Sequence, residues 1–151
     1  MLHLMRHGEA SWNAKTDMER SLTEQGIRSI KQLSLINLEH FRHVQKIVCS
    51  PYLRTHQTAQ LMAENMAGIE VIFDDSLTPE STVKNALLAI EKYWCDELLV
   101  VTHQPLIGNL ISYLEHGVGA FPEPVDPGTV YSLSMVWPGL GCAQRESVFF
   151  V

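Results

Sequence analysis

Met1-Leu2-His3-Leu4-Met5-Arg6-His7-Gly8 opens the chain and reads as a strand that ends on a cation and an imidazole. Residues 1–5 are apolar except for His3, a composition suited to a central strand covered on both faces. Gly8 is expected to let the chain turn away with backbone angles that other residues avoid. Ligands of open α/β sheets bind just beyond the carboxyl ends of such strands. There Arg6 offers a planar fork of donors matched to phosphate or carboxylate oxygens, and His7 a nitrogen able to be neutral and nucleophilic near neutral pH. The same pair also suits a surface arginine beside a half-buried histidine, so the rest of the chain has to decide.

Outward from that strand, residues 11–21 are polar, mixed in charge and without period, a loop with Arg20 near its end. Thr23 caps the helix that follows, Glu24 favours its first turn, and Ile27, Ile30, Leu33 and Ile36 form its buried face, with Gly26 a weakening residue. Residues 37–45 read as a polar connection with His40 and His43 solvated, and Lys46-Ile47-Val48-Cys49 as the second strand. Ser50 is expected to cap the next helix with Pro51 at its first position, which puts Arg54 near a helix amino terminus, already favourable to anions. That helix runs toward Gly68.

A third strand is expected over residues 70–73, followed by a loop bearing Asp74, Asp75 and Glu80. A helix over about 82–94 has Val83, Leu87, Ile90 and Trp94 on one face. Leu98-Leu99-Val100-Val101 is the fourth and most apolar strand, with Thr102 and His103 directly after it. Gln104-Pro105 begins another helix, apolar at Leu106, Ile107, Leu110, Ile111 and Leu114. Residues 119–128, with Pro122, Pro124 and Pro127, form a stiff connection able to fold over a pocket mouth. Closing strands in 130–137 and 147–151 flank a hairpin at 138–141. Strand ends thus deliver Arg6 with His7, Arg54, and His103, and a parallel sheet would gather them on one edge.

A chain of 151 residues with 46% hydrophobic and 19% charged content fits one domain, residues 1–151, with a sizeable core. The net charge of −6 argues against nucleic acid as a partner and confines any anion site to a local concentration of positive charge. Cys49, Cys95 and Cys142 lie far apart without CxxC spacing, so neither a disulfide framework nor a zinc site is indicated, and a cytoplasmic setting is expected. No apolar run approaches the ~20 residues of a membrane span, and the charges at residues 6–9 interrupt any signal peptide. His3 reads as a core histidine, His56 as structural or solvated, His116 as a helix-terminal residue, and Trp12, Trp94 and Trp137 as packing groups.

Leu4-Met5-Arg6-His7-Gly8-Glu9, Leu22-Thr23-Glu24-Gln25-Gly26, Ser50-Pro51-Tyr52-Leu53-Arg54 with Gln57-Thr58-Ala59, and Val101-Thr102-His103-Gln104-Pro105 together resemble the histidine phosphatase superfamily, also called phosphoglycerate mutase-like. Order and intervals match along nearly the whole chain. Short length and Leu77-Thr78-Pro79 are most similar to the SixA-type branch, which removes phosphate from phosphohistidine on signalling proteins. The resemblance implies a three-layer α/β/α sandwich with a mostly parallel central sheet.

It also implies that His7 becomes phosphorylated, that Arg6, Arg54 and His103 complete the phosphate pocket, and that no metal or cofactor takes part. Gly8, Arg20 and Thr102 are expected at the substrate: Gly8 as a backbone requirement, Arg20 either near the pocket or as a surface cation, Thr102 either orienting the site or capping the next helix. Superfamily members often place an acidic residue after the third strand to protonate the leaving group, and Glu80 is the candidate here, its other reading being a solvated loop carboxylate. An imidazole, whose conjugate acid has a pKa of about 6.5, leaves more readily than an alkoxide. That favours a phosphohistidine-bearing signalling protein over a small phosphate ester. The alternatives are a small-molecule phosphomonoesterase and a phosphate-binding regulatory module with negligible turnover.

Overall fold

Alternation of side chains along a few short strands builds two helical layers from one sheet. In the computed structural model, which describes residues 1–66, 68–117 and 122–151, β1 (Leu2–Arg6) sends Leu2 and Leu4 to one face and Met5 to the other. The same alternation holds in β4 (Leu98–Thr102), where Leu98 and Val100 face one layer and Leu99 and Val101 the other. One layer is α4 (Val83–Tyr93) and α5 (Leu106–His116), which bring Ala86, Ile90, Leu106, Leu110 and Leu114 onto Leu2 and Leu4. The other is α1 (Glu24–Ile36) and α3 (Leu53–Ala63), which bring Ile30, Leu33, Ala59 and Met62 onto Met5. Each fully buried aliphatic side chain contributes roughly 1.5–3 kcal/mol relative to exposure.

The remaining elements are α2 (Leu38–Phe41), β2 (Lys46–Cys49), β3 (Val71–Phe73), a single 3-10 turn (Asp75–Leu77), β5 (Val130–Ser134) and β6 (Gln144–Phe149). The strands form one sheet in the order β3-β2-β4-β1-β5-β6. Pairs β1/β4, β2/β4 and β2/β3 are parallel, and β5 and β6 add antiparallel at the far edge. The expected α/β/α sandwich with a mostly parallel sheet is the observed fold, and the carboxyl ends of β2, β4 and β1 lie side by side.

Several local expectations are corrected. Ser50 does not cap α3: its N–H donates to the carbonyl of Val101 at 3.2 Å, so it still belongs to the sheet, and Tyr52 occupies the N-cap position with no side-chain cap. Helix α3 also ends at Ala63, before Gly68, and a turn in which the Met66 N–H donates to the Ala63 carbonyl carries Met66 back into the core. Residues 37–45 contain α2, whose Phe41 is fully buried. His40 is not solvated; it lies against Phe149 with ring centroids 4.5 Å apart, and its Nε2 is 3.2 Å from the Ser132 hydroxyl. That hydroxyl is also 2.7 Å from Nδ1 of the buried His3, whose Nε2 meets Glu97 at 3.0 Å, the satisfied core histidine expected there.

On α1 the buried set is Gly26, Ile30, Leu33 and Ser34, while Ile36 is exposed. Gly26 belongs to that set because α1 packs closely there: a Cβ would stand 2.3 Å from the carbonyl oxygen of Glu9. Gly26 is a contact surface for the turn after β1, far more than a weak spot in a helix. Gly8 likewise is not in the left-handed region; a Cβ there would meet Ile30 Cγ1 at 3.0 Å and Leu22 Cδ2 at 3.3 Å. Gly26→Ala is therefore expected to destabilise the protein by about 1–3 kcal/mol, the usual cost of overpacking against a rigid backbone, measured as a lower midpoint in urea unfolding.

Candidate active site

Because β1 and β4 pair in parallel with Arg6 opposite Thr102, the residues that follow each strand emerge together. The His7 N–H donates to the Thr102 carbonyl at 3.1 Å, and the His7 and His103 rings meet edge to face with centroids 5.1 Å apart. Arg54 reaches the same point from the first turn of α3, and its Nε–H donates to His7 Nε2 at 3.2 Å. Arg6, His7, Arg54 and His103 thus converge, and all but Arg6 are buried.

The hydrogen bonds of His7 set its tautomer. Its Nδ1 lies 2.7 Å from the Gly8 carbonyl, which can only accept, so Nδ1 carries the proton and Nε2 keeps its lone pair. Burial pushes the His7 pKa down to about 4, and the charges of Arg54, Arg6 and Arg20 act in the same direction against the Gly8 bond. For His103, burial again leads, helped by His7 and the same arginines, and lowers its pKa to about 2. Both rings are neutral at pH 7, which leaves a nucleophilic nitrogen inside a wall of guanidinium groups.

The motif residues that flank these groups act as struts. Gly8 N–H donates to the Thr58 hydroxyl at 3.1 Å, and that hydroxyl donates to the Arg54 carbonyl at 2.7 Å. Gln57 Oε1 accepts from the Leu22 N–H at 2.7 Å, which closes the loop before α1. Arg6 Nη1 donates to the Val125 carbonyl at 2.7 Å, and the Gly128 N–H lies 3.1 Å from the Arg6 carbonyl and 3.0 Å from that of His7. Residues 122–128 therefore back Arg6 from beneath; residues 119–121 of the expected mouth-covering connection lie outside the described residues. Among the described residues, Arg6 Nε and both His103 ring nitrogens are buried without a hydrogen-bond partner. Such groups cost about 1–3 kcal/mol each when left unpaired, an expense that an anion with several acceptor oxygens would offset for the donors among them, Arg6 Nε and the protonated nitrogen of His103.

The other expected site residues fall in different places. Arg20 is no free surface cation: Nε donates to the Ser11 carbonyl at 2.8 Å, Nη1 to Asp17 Oδ1 at 3.1 Å, and its Cζ stacks 3.5 Å over the exposed Trp12 ring. It borders a hollow of about 190 Å³ shared with Trp12, Lys15 and Asp17. The Thr102 hydroxyl donates to the Leu77 carbonyl at 2.7 Å, so it neither caps α5, where Pro105 is the N-cap, nor offers its proton to a ligand; its carbonyl holds the His7 backbone instead. Glu80 is exposed and accepts from the Tyr52 hydroxyl, 3.0 and 3.1 Å from its two oxygens. The Tyr52 ring packs on His103 at 5.1 Å and lies 4.9 Å from the Arg54 Cζ.

Asp17 and Tyr52 were not singled out from sequence. Asp17 stands three residues before Arg20, a spacing that signals nothing until Arg54 is folded against it. Among the described residues, no three His, Cys, Asp or Glu side chains form a group able to hold a metal ion, and no helix is long and apolar enough to cross a membrane.

Buried neutral histidines make stability depend on pH. His3 also has its pKa lowered, chiefly by burial, to about 4 from 6.5. In the unfolded chain all these rings protonate near 6.5, so below that pH the unfolded state binds more protons and is favoured. Acidification from pH 6.5 to 4 is therefore expected to lower stability by up to about 1.4 kcal/mol per pH unit for each ring, with stability recovered as pH rises through that window. Urea midpoints measured across the window check the slope.

A model of the histidine phosphatase superfamily (branch 1) matches residues 2–79. The chain is 28% identical over 117 residues to the phosphohistidine phosphatase SixA of Escherichia coli (strain K12), covering 74% of this chain and 71% of that protein. Among solved structures, SixA complexed with tungstate superposes with a TM-score of 0.86 at 22% identity, over 99% of this chain and 96% of that one. The phosphoserine phosphatase of Entamoeba histolytica in complex with 3-phosphoglyceric acid superposes with a TM-score of 0.71 at 16% identity, over 99% and 96%.

Proposed function

Since the chain belongs to the histidine phosphatase superfamily (branch 1) and is a phosphatase, we propose that it removes phosphate from phosphohistidine on a signalling protein through a phosphorylated His7. His7 itself carries this reading: its proton is fixed on Nδ1 by the Gly8 carbonyl, and its Nε2 lone pair faces Arg54. The similarity to a phosphohistidine phosphatase supports the choice of substrate.

In the first step the Arg54 Nε–H passes from His7 Nε2 to a phosphoryl oxygen, which frees the lone pair, and Nε2 attacks phosphorus while the bond from phosphorus to the substrate nitrogen breaks. The substrate ring, protonated at its other nitrogen, leaves as neutral imidazole and needs no strong acid. Arg6 and Arg54 stabilise the equatorial oxygens as their charge grows, and the neutral His103 donates a further hydrogen bond through the ring nitrogen that carries its proton. Water then attacks phospho-His7, the new phosphorus–nitrogen bond breaks, and inorganic phosphate and neutral His7 result. No step calls for a metal.

One observation favours a small phosphate ester as a second substrate class: Glu80 stands one hydrogen bond from Tyr52, whose ring touches His103. A proton delivered by that pair would suit an alkoxide leaving group. The two classes separate in a single comparison of wild type and Glu80→Gln, with a phosphohistidine-bearing protein and a small ester each incubated in chelator. The expected result is phosphohistidine turnover that survives both chelator and Glu80→Gln. Selective ester turnover lost in Glu80→Gln would instead establish the phosphomonoesterase, and release from neither substrate the phosphate-binding module.

A further inference from the structure

The loop at residues 11–21 is docked, despite its irregular backbone. Its ends are tied by the Ser11 N–H donating to the Ser21 carbonyl at 2.8 Å and by a bridge between Ala10 and Leu22. Its middle is tied to α3 by the Leu53 N–H donating to the Met18 carbonyl at 3.0 Å. This docking places Asp17 against the end of the Arg54 side chain. The Asp17 carbonyl accepts from Arg54 Nη1 at 2.6 Å, and Oδ2 accepts from Nη2 at 3.0 Å. The other carboxylate oxygen takes Arg20 Nη1 at 3.1 Å.

A guanidinium is a flat fork whose donors point in fixed directions, so fixing its Nη1–Nη2 end decides where Nε points. With the end committed to Asp17, the Nε side is presented to His7 Nε2. Asp17 also inserts one negative charge between Arg54 and Arg20, which lets like charges approach one pocket. Hydrogen bonds from Arg20 and Arg54, prevailing over the cost of burial, hold its carboxyl below the ordinary range. The Asp17 side chain is half exposed while that of Arg54 is buried. Pairs open to solvent on one side add little to stability, so the contact matters for aim.

We propose that Asp17 is the positioning residue of the phosphoryl pocket, orienting Arg54 toward the nucleophile and coupling Arg20 to it. The proposal rests on the reading of His7 and Arg54 as that pocket. It predicts a role in turnover and phosphate affinity that a surface loop residue would not have.

The test compares wild type, Asp17→Ala and Asp17→Asn by kcat and KM on the best substrate, by calorimetric titration with inorganic phosphate, and by thermal melting. Asp17→Ala is expected to lower kcat by roughly 10–100-fold, the scale of a misplaced catalytic group, and to weaken phosphate binding, with an unchanged melting profile. Asp17→Asn, which keeps an acceptor for Arg54 Nη2, is expected to recover part of both losses, and it serves as the test if Asp17→Ala fails to fold. Unchanged kcat and phosphate affinity would overturn the proposal. Tighter phosphate binding in either variant would also overturn it and make Asp17 a competing anion. Because phosphate titration needs no turnover, with His7→Ala as its reference, failure of the phosphohistidine assignment leaves this test readable.

Discussion

Replacing His7 with alanine is expected to lower phosphate release by roughly 10⁵–10⁶-fold, the loss seen when a covalent hydrolase forfeits its nucleophile. The His103 ring lies beside His7 with centroids 5.1 Å apart, but the carbonyl bond that fixes a tautomer and the Arg54 Nε–H both belong to His7. Acid-labile, base-stable radiolabel on the protein after rapid quenching is expected for wild type and absent from His7→Ala. The variant should nonetheless fold, and its loss of stability on acidification should be shallower, because a ring that resists protonation in the native state has been removed. Turnover within tenfold of wild type would remove His7 from the chemistry.

Arg54→Ala carries the second large effect, a fall in kcat of about 10³-fold, comparable to deleting a donor that stabilises charge in a transition state or an arginine that contacts a transferring phosphoryl group. Arg54 is a junction: Nε on His7 Nε2, both terminal nitrogens on Asp17, and Cζ over the Tyr52 ring. Lysine is not expected to rescue it, since a point charge on a flexible stem cannot reproduce that fork. Titration supplies an independent readout. Burial is the chief cause that holds the His7 pKa near 4 and the Arg54 charge adds to it, so removal of Arg54 is expected to raise that pKa. Histidine resonances followed by NMR should move upward in pH for Arg54→Ala, and the acid limb of the rate profile should follow. A His7 titration unchanged by the substitution would show that the charge does not act on the nucleophile.

The core strands were legible because β1, β2 and β4 are short apolar runs whose residues are buried on both faces, so composition alone marks them. Arg6, His7, Arg54 and His103 were legible for a related reason, each standing next to or shortly after such a run. What escaped depended on tertiary context. Ser50 looks like a cap, yet its N–H is drawn into the sheet by Val101. Residues 37–45 look solvated because their polar count hides Phe41 and the contact of His40 with Phe149. Gly26 looks like a helix defect until the Glu9 carbonyl is placed against it. Asp17 and Tyr52 acquire meaning only through Arg54 and His103, and no local period announces a contact of that kind.

The position of His7 in the sheet has a consequence for exchange with solvent. The His7 amide donates to the Thr102 carbonyl at the end of β4, and β4 and β1 are both interior strands, flanked by β2 and β5. Its deuterium uptake should be as slow as that of the hydrogen-exchange core, requiring cooperative unfolding of the whole sheet. Amides of the 11–21 loop, tied by a few bonds at the surface, should exchange by local opening with a much smaller free energy. The His7 backbone and the Asp17 arm would then belong to different cooperative units, so that the arm can release and re-engage while His7 keeps its register in the sheet.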